Sequence, residues 1–598
     1  MEVSVSSSSS SKNFDFDDIQ KIVSFIFCHS PSEMANYSRP HICQCLTRLA
    51  SVKGNAVVTV NGNRKRTGKE FVDGVLSLAA GLIRLGIRNG DVVSISALNS
   101  DLFLEWLLAV ALVGGIVAPL NYRWSLKEAK MAMLMVEPVL FVTDETCVSW
   151  CIDVQNEDIP SLKWRVLMES TSKECANEHN QFLTTEMLKL NVLVPSLATY
   201  AWAPDDAVVI CFTSGTTGRP KGVTISHLAF ITQSLAKIAI VGYGEDDVYL
   251  HTSPLVHIGG LSSAMAMLMV GACHVLLPKF DPKTALQVMQ QNRITCFITV
   301  PAMMADLIRV NSTFTRRTTK NGAENLGVRK ILNGGGSLSS ELLQEAVKIF
   351  PCAKILSAYG MTEACSSLTF MTLHDPTKES LKVTYPLVNQ PKQGTCVGKP
   401  APHIELMIKL DENSSRVGKI LTRGPHTMLG YWGHQLVQEN VGTSESRSNE
   451  AWLDTGDIGT FDVFGNLCLI GRSNGRIKTG GENVYPEEVE AVLVEHPGIV
   501  SAVVIGVIDA RLGEMVVACV RLQENWIWSD VENRKRGFEL SSETLKHHCR
   551  TQNLTGFKIP KRFVRWEKQF PLTTTGKVKR DEVRRQVMSH SQILTSSL

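Results

Sequence analysis

The sequence predicts an α/β protein of mixed α/β layers, with a large N-terminal domain of several subdomains and a small α+β C-terminal domain. Three observations carry this reading. Helix-period and strand-like apolar segments alternate from about His41 onward, the pattern of layered α/β architecture. The 598 residues exceed one typical domain. Past Arg472 the alternation restarts and fills a second unit. The expected division is therefore residues 1–33 as a disordered extension, 34–473 as the large domain, 474–590 as the small domain and 591–598 as a tail.

Taken in order, Phe71–Leu85 carries apolar residues at helical spacing, and Val92–Ser96 reads as a strand. Leu102–Val113 predicts a buried helix, with Gly115–Pro119 and Val139–Val142 as short strands in a largely parallel sheet. Trp106–Leu120 is uncharged but too short to span a bilayer. Val248–Pro278 also lacks Asp, Glu, Lys and Arg and is long enough. Pro254, Gly259 and Gly260 interrupt it, so it reads as a buried helix plus strand, and no transmembrane segment is expected. Ser312–Asn325 and Ser444–Glu450 are polar and loop-like. In the second unit Pro486–Leu493 predicts a helix and Ile499–Ile508 a strand, while Gln523–Leu540, with Trp526 and Trp528, reads as a surface excursion.

Composition narrows the function. Hydrophobic residues make up 44% and charged residues 20%, an ordinary globular balance. A net charge of +3 and the lack of a basic block with interleaved aromatics argue against a nucleic-acid partner. The 15 cysteines are scattered; Cys43/Cys45 and Cys147/Cys151 are close pairs that no second pair completes into a zinc pattern. His547-His548-Cys549 reads as one face of a surface helix, and free thiols in a reducing compartment are expected. Nothing in the sequence reads on oligomeric state.

Residues 213–222, Thr-Ser-Gly-Thr-Thr-Gly-Arg-Pro-Lys-Gly, are the most informative stretch. The apolar run Val208–Phe212 precedes them as a buried strand, and Gly222-Val223-Thr224-Ile225 follows as a second one. Gly215 and Gly218 let the backbone approach a ligand closely. Thr213, Ser214, Thr216 and Thr217 add hydroxyl donors and Lys221 a cation, which together suit the phosphates of ATP. It is not a Walker loop, because Lys221 follows Pro220 and leads into a strand rather than a helix.

Five further segments follow in order: Asn333-Gly334-Gly335-Gly336-Ser337, Tyr359-Gly360-Met361-Thr362-Glu363, Trp452–Asp457 ending Thr-Gly-Asp, Gly471-Arg472 through Ile477–Asn483, and Pro571–Lys577. With the decapeptide they resemble the adenylate-forming (acyl-activating) superfamily of acyl-CoA synthetases, aryl-CoA ligases, luciferases and peptide-synthetase adenylation domains. The resemblance implies that a carboxylic acid is joined to AMP from ATP and then to CoA, with the small domain moving between the steps. It places Gly334, Gly335 and Gly336 beside adenine, with the ring of Tyr359 and with Gly360. It gives Asp457 the ribose hydroxyls and Arg472 ribose and phosphate oxygens, each a fitting donor or acceptor. Thr362 would meet the α-phosphate, and Glu363 would hold Mg²⁺ with a hard oxygen; read alone, that carboxylate would be a solvated residue at a helix start. Lys577 would bridge the carboxylate and α-phosphate, where an anion must attack an anion; read alone, it sits in a basic tail. Asn474 falls at the hinge, where the family more often has Asp or Lys, and Asn with Gly475 tolerates the backbone angles a hinge needs. Gly480 and Gly481 would approach the pantetheine arm of CoA. His257, in Ser253–Gly260, matches an aromatic gate beside the reacting carboxylate.

No carrier-protein motif follows the small domain, so free CoA is the expected acceptor. The Gly-Gly-Gly loop and Pro254–Ser262 resemble plant o-succinylbenzoate–CoA ligases, which implies 2-succinylbenzoate as the acid and a place in phylloquinone biosynthesis. The unreacted carboxylate of that diacid needs donors, for which Ser262, Ser263 and the Gly335 backbone are candidates. Another aryl or medium-chain acid (4-coumarate, benzoate, a fatty acid) is the alternative. A non-catalytic nucleotide-binding protein is a third reading, which the presence of both Lys577 and Glu363 disfavours. The terminal Ser596-Ser597-Leu598 is similar to the peroxisomal Ser-Lys-Leu address, pointing to the peroxisome. The head has a serine run, Ser6–Ser11, but carries Asp15, Asp17 and Asp18 and no arginine before Arg39, a poor chloroplast transit pattern; Met34 reads as an alternative start.

Overall fold

Local signals set the first layer. Thr67 caps the helix Gly68–Leu85 in a reciprocal box with Glu70, and Gly86 closes it in the left-handed region. The helix Asp101–Leu112 is apolar around its circumference, and all its residues are buried, as a helix without a polar face requires. Its two acids are paired: Asp101 with Arg64 at 2.5 Å and Glu105 with Lys189 at 2.5 Å. A computed structural model describes residues 39–169, 182–190, 200–214, 220–315, 326–378, 395–410, 416–433, 452–472, 475–529, 538–571 and 578–595.

Two large sheets build the N-terminal part. The first has eight strands in the order Gly430–Tyr431, Pro220–Ser226, Ala207–Ser214, Ile116–Pro119, Val92–Ser96, Leu140–Thr143, Trp164–Leu167 and Leu183–Thr184. It is parallel from Ala207–Ser214 onward, while the phosphate-loop hairpin pairs antiparallel with Thr213 opposite Lys221. The second has thirteen strands. Val57–Asn61, Cys273–Leu276, Val248–His251, Cys296–Thr299, Lys330–Asn333 and Lys354–Met361 form a parallel block.

Beyond that block the expected parallel bias ends. The chain reverses at the short turn Thr362–Ala364, where Cys365 (φ 51°) and Ser366 (φ 114°) take left-handed angles, and Ser366–His374 returns antiparallel. Hairpins then add Glu405–Leu410 with Gly418–Arg423 and Leu453–Phe461 with Leu467–Arg472. Short hairpin loops allow only antiparallel pairing, and Leu453–Phe461 buries alternate residues, as a strand with one open face does.

The charge-free segment at 248–278 forms the strand Val248–His251, the helix Ile258–Val270 and the strand Cys273–Leu276. Among the described residues no helix is long and apolar enough to cross a membrane. The helix Pro301–Thr315 absorbs the start of the polar segment expected as a loop at 312–325, of which 316–325 lie outside the described residues. So do 444–450, the head 1–33 and the terminal tripeptide. Every described cysteine is a free thiol. Cys549 is buried and His548 meets the Val492 carbonyl at 2.9 Å, so that cluster serves packing.

From Ile477 the chain builds a third sheet in the order Glu482–Val484, Ile477–Thr479, Gly513–Leu522 and Ile499–Asp509, with Arg562–Arg565 beside Gly513–Leu522. It has its own core around Ile477, Val504, Val516 and Leu545. In the Trp-containing excursion Trp526–Trp528 pairs with Phe538–Leu540, and Trp526 stacks on Phe538 with ring centroids 5.1 Å apart.

Candidate active site

A cavity of about 220 Å³ lies beyond the carboxyl ends of the parallel strands, between the two large sheets and the small domain, the usual place for a ligand in open α/β sheets. Thr213 brings the phosphate hairpin to it, and the Thr213 Oγ1 is buried without a partner among the described residues. Lys221 Nζ sits 5.0 Å from the ring centroid of Tyr431, a cation–π contact. Gly215, Thr216, Thr217, Gly218 and the Ser214 side chain lie outside the described residues.

Strand Lys330–Asn333 delivers the glycine loop. Asn333 Nδ2 donates to the Gly336 carbonyl at 2.7 Å, and Gly334 and Gly335 line the cavity while Gly336 does not. Gly335 has φ +72°, and a Cβ there would approach Val300 at 3.0 Å, so glycine is required. At Gly360, which also lines the cavity, a Cβ would lie 1.6 Å from the Ser366 carbonyl oxygen. Tyr359 is buried off the cavity wall, and its hydroxyl donates to Asp457 Oδ2 at 2.7 Å.

Thr362 and Glu363 sit on the reversing turn and line the cavity. The Glu363 carboxylate is 5% exposed; Oε1 accepts from Tyr431 Oη at 3.0 Å, while Oε2 is buried with no partner among the described residues. Burial, and then the Glu363 charge, push the Tyr431 phenol well up, so it stays a donor. An orphaned buried carboxylate oxygen fits a hard divalent cation such as Mg²⁺. Arg476 completes this cluster. Burial works against its charge, but Tyr485, Glu363 and Asp457 hold the guanidinium above its ordinary value.

The small domain presents Gly480 and Gly481 to the cavity. Both have positive φ, at 58° and 89°, and Gly480 N–H donates to the Leu512 carbonyl at 2.8 Å. Next to them Glu482 reaches into the large domain. Its Oε1 lies 3.2 Å from His257 Nε2 and accepts from Arg123 at 3.2 Å. Burial would raise the Glu482 carboxyl, yet His257 and Arg123 outweigh it and hold it below the usual range. A second joint forms at Lys558, whose Nζ is 2.7 Å from Glu128 of the large domain and 2.7 Å from Glu488 of the small one.

The structure thus brings together Thr213, Lys221, Gly334, Gly335, Gly360, Thr362, Glu363, His257, Gly480 and Gly481, with Tyr359 and Asp457 bonded in the adjacent wall. The strand residue Arg472 pairs opposite Asp457, but its side chain, Asn474 and Lys577 lie outside the described residues. Ser262 and Ser263 are fully buried and off the cavity wall. Arg476, Tyr431, Glu482, Arg123 and Lys558 were not anticipated. Arg476 and Glu482 fall in or beside a quoted motif, but nothing local separates them from solvated charges. Lys558 meets Glu128 across 430 residues, which no local pattern signals.

Residues 46–432 match the family described as AMP-binding enzyme, and residues 488–577 match the AMP-binding enzyme C-terminal domain. The chain is 91% identical over 565 residues to 2-succinylbenzoate–CoA ligase, chloroplastic/peroxisomal, of Arabidopsis thaliana, a match covering 94% of this chain and 100% of that protein. It is 28% identical to 2-succinylbenzoate–CoA ligase of Bacillus cereus, over 88% of this chain and 94% of that one. Among solved structures, the amide bond synthetase McbA from Marinactinospora thermotolerans superposes with a TM-score of 0.72 at 25% identity, over 92% of this chain and 99% of that one.

Proposed function

The chain belongs to the AMP-binding enzyme family, and from that premise we propose that it joins 2-succinylbenzoate to CoA at the expense of ATP, in phylloquinone biosynthesis. The observation that carries the proposal is one cavity lined by Thr213 of the phosphate hairpin, by Glu363, by His257 and by Gly480 and Gly481 of the small domain. Both half-reactions can share such a site. In the first, an acid carboxylate oxygen attacks the α-phosphorus of ATP and pyrophosphate leaves. In the second, the CoA thiol loses its proton, its sulfur attacks the acyl carbonyl and AMP leaves. The acid itself comes from the likeness to the Arabidopsis ligase.

In this reading Lys221 and Lys577 offset the negative charge that gathers when a carboxylate meets phosphate. Glu363, with its unpartnered Oε2, would hold Mg²⁺, which supplies charge neutralisation on the phosphates. Tyr359 fixes the Asp457 carboxylate where it can meet the ribose hydroxyls, while Arg472 and Arg476 serve the ribose and phosphate oxygens. Thr362 meets the α-phosphate. For the second step Gly480 and Gly481, lacking side chains, let the pantetheine arm pass, and His257, tied to Glu482, stands beside the acyl carbonyl. Asn474 is the hinge between the two placements of the small domain. We place the protein in the peroxisome and the chloroplast by analogy with the Arabidopsis relative, which is chloroplastic/peroxisomal.

The test is pyrophosphate release with ATP and Mg²⁺ over 2-succinylbenzoate, 4-coumarate, benzoate and octanoate, with and without CoA. Selective turnover of 2-succinylbenzoate, with thioester formed when CoA is present, is expected. Preference for another acid would overturn the substrate, and binding of nucleotide without turnover of any acid would overturn the enzyme.

A further inference from the structure

Lys237 is the last residue of the helix His227–Lys237, and its side chain is fully buried. Its Nζ donates to Ser262 Oγ at 2.5 Å and to Ser263 Oγ at 3.3 Å. Those hydroxyls in turn donate to the carbonyls of Ile258 at 2.7 Å and Gly259 at 2.8 Å. Ile258 and Gly259 line the cavity. The ammonium therefore lies behind the cavity wall, joined through the two serines to the residues that follow His257 and close to the segment Ala364–Ser367.

A buried ammonium is normally matched by a carboxylate, because desolvating an unpaired charge is costly. Among the described residues no carboxylate pairs with Lys237. The titratable group that bears on it is the Cys365 thiol, and burial pulls the ammonium down to about 7. One turn earlier on the same helix face, Gln233 holds the carbonyls of Ala364 and Ser367 at 2.9 Å through Nε2. Its Oε1 is buried with no partner. Ser366 and Ser367 also line the cavity. The helix continues as a π-turn over Ile238–Gly242, a deviation that recurs at functional sites. A polar layer built around one amine, with no carboxylate paired to it among the described residues, thus backs the cavity beside His257, and Gly259, Ser366 and Ser367 are small residues of the neighbouring wall.

We propose that Lys237, seated on Ser262 and Ser263, is the specificity-determining cation that recognises the unreacted carboxylate of a dicarboxylic acid substrate. The inference rests on the diacid reading given above. It assigns the two serines a supporting part: they aim the ammonium rather than touch the acid. The chemistry recognised is a second carboxylate at the far end of an aromatic keto-acid, felt by the amine across the wall that Ile258 and Gly259 form, because Lys237, Ser262 and Ser263 are fully buried and line no part of the cavity.

The test compares wild type and Lys237→Met on 2-succinylbenzoate and on two monoacids that each lack one of its carboxylates, 4-oxo-4-phenylbutanoate and 2-butanoylbenzoate. Lys237→Met should lower kcat/KM for the diacid by about 30-fold, mainly through KM, as expected for loss of a charge acting across a few ångströms of protein interior. Turnover of whichever monoacid is accepted should change by less than about 3-fold, and Lys237→Arg should restore part of the preference. The unliganded Lys237→Met protein should melt no lower than wild type, since it loses an unpaired buried charge. Ser262→Ala gives an independent arm, with a smaller loss confined to the diacid. Equal losses on diacid and monoacid, or a lowered melting temperature, would mean a purely structural lysine. A Lys237→Met enzyme as diacid-selective as wild type would overturn the assignment alone. A wild type that takes monoacids but not the diacid would overturn the substrate reading, and this role with it.

Discussion

The nucleotide end and the acyl end of the cavity are incomplete in opposite senses. At the nucleotide end Glu363 and Asp457 are buried acids held by the neutral phenols of Tyr431 and Tyr359, with Arg476 as a shared cation. The Glu363 Oε2 is left without a partner among the described residues. At the acyl end Lys237 is a buried amine held by two neutral hydroxyls, with no acid paired to it among the described residues. One end thus gathers two acids around one guanidinium, while the other seats a single amine on hydroxyls. One end suits a cation and ribose hydroxyls, the other a carboxylate. In the proposed reading, the comparison teaches that specificity lies in which end is lined by acids and which is backed by an amine.

The sharpest way to break this contrast is to remove the cation assigned to the first step. Lys577→Ala should reduce pyrophosphate formation by about 1,000-fold, the scale of losing a charge-stabilising group. Transfer from preformed acyl-AMP to CoA should stay within a few-fold of wild type. Equal loss in both half-reactions, measured separately, would remove Lys577 from the role given to it. Next in size is Glu363→Gln, which keeps the shape and the Tyr431 contact but not the charge. Adenylation should fall about 100-fold, with part of the loss recovered at high Mg²⁺, as for a weakened hard-cation ligand. A rate unchanged across a magnesium titration would mean that the unpartnered oxygen of Glu363 does not hold the ion.

The two ends also differ in how much of them can be read from the sequence. The phosphate hairpin is legible because glycine, proline and threonine punctuate two β-prone runs, and the strands stand at Ala207–Ser214 and Pro220–Ser226. Glu363 is legible through its neighbours Tyr359–Thr362. Lys237 is not, because a lysine closing a helix reads as a solvated residue favoured by the helix dipole, and only tertiary packing against Ile258–Val270 buries it. The antiparallel half of the large sheet is missed for a related reason. Its direction is set by the reversal at Thr362–Ser366, whose unusual backbone angles fall on cysteine and serine rather than on glycine. The joints of Glu482 and Lys558 pair residues hundreds of positions apart, and charge type alone does not name a partner.

The smallest effect separates the small domain's contribution from that of either end. Glu482 belongs to the small domain and binds His257 and Arg123 of the large one, and the proposed function gives it the part of positioning Gly480 and Gly481 for the second step. Its carboxyl is held below the usual range in this docked arrangement. The stabilisation it gives is therefore fully present above the ordinary glutamate value of about 4.3 and is lost as pH falls through the lower docked value. Near neutral pH Glu482 contributes no pH dependence of its own. Glu482→Gln, which can still hydrogen-bond but cannot pair its charge, should slow CoA transfer from preformed acyl-AMP by about 5-fold to 10-fold. Adenylation should be unchanged. A matching loss in adenylation would mean that Glu482 supports the fold of the joint in both steps. No loss in either would mean that the glycine strip is placed without it, by the Lys558 bridge to Glu128 and Glu488.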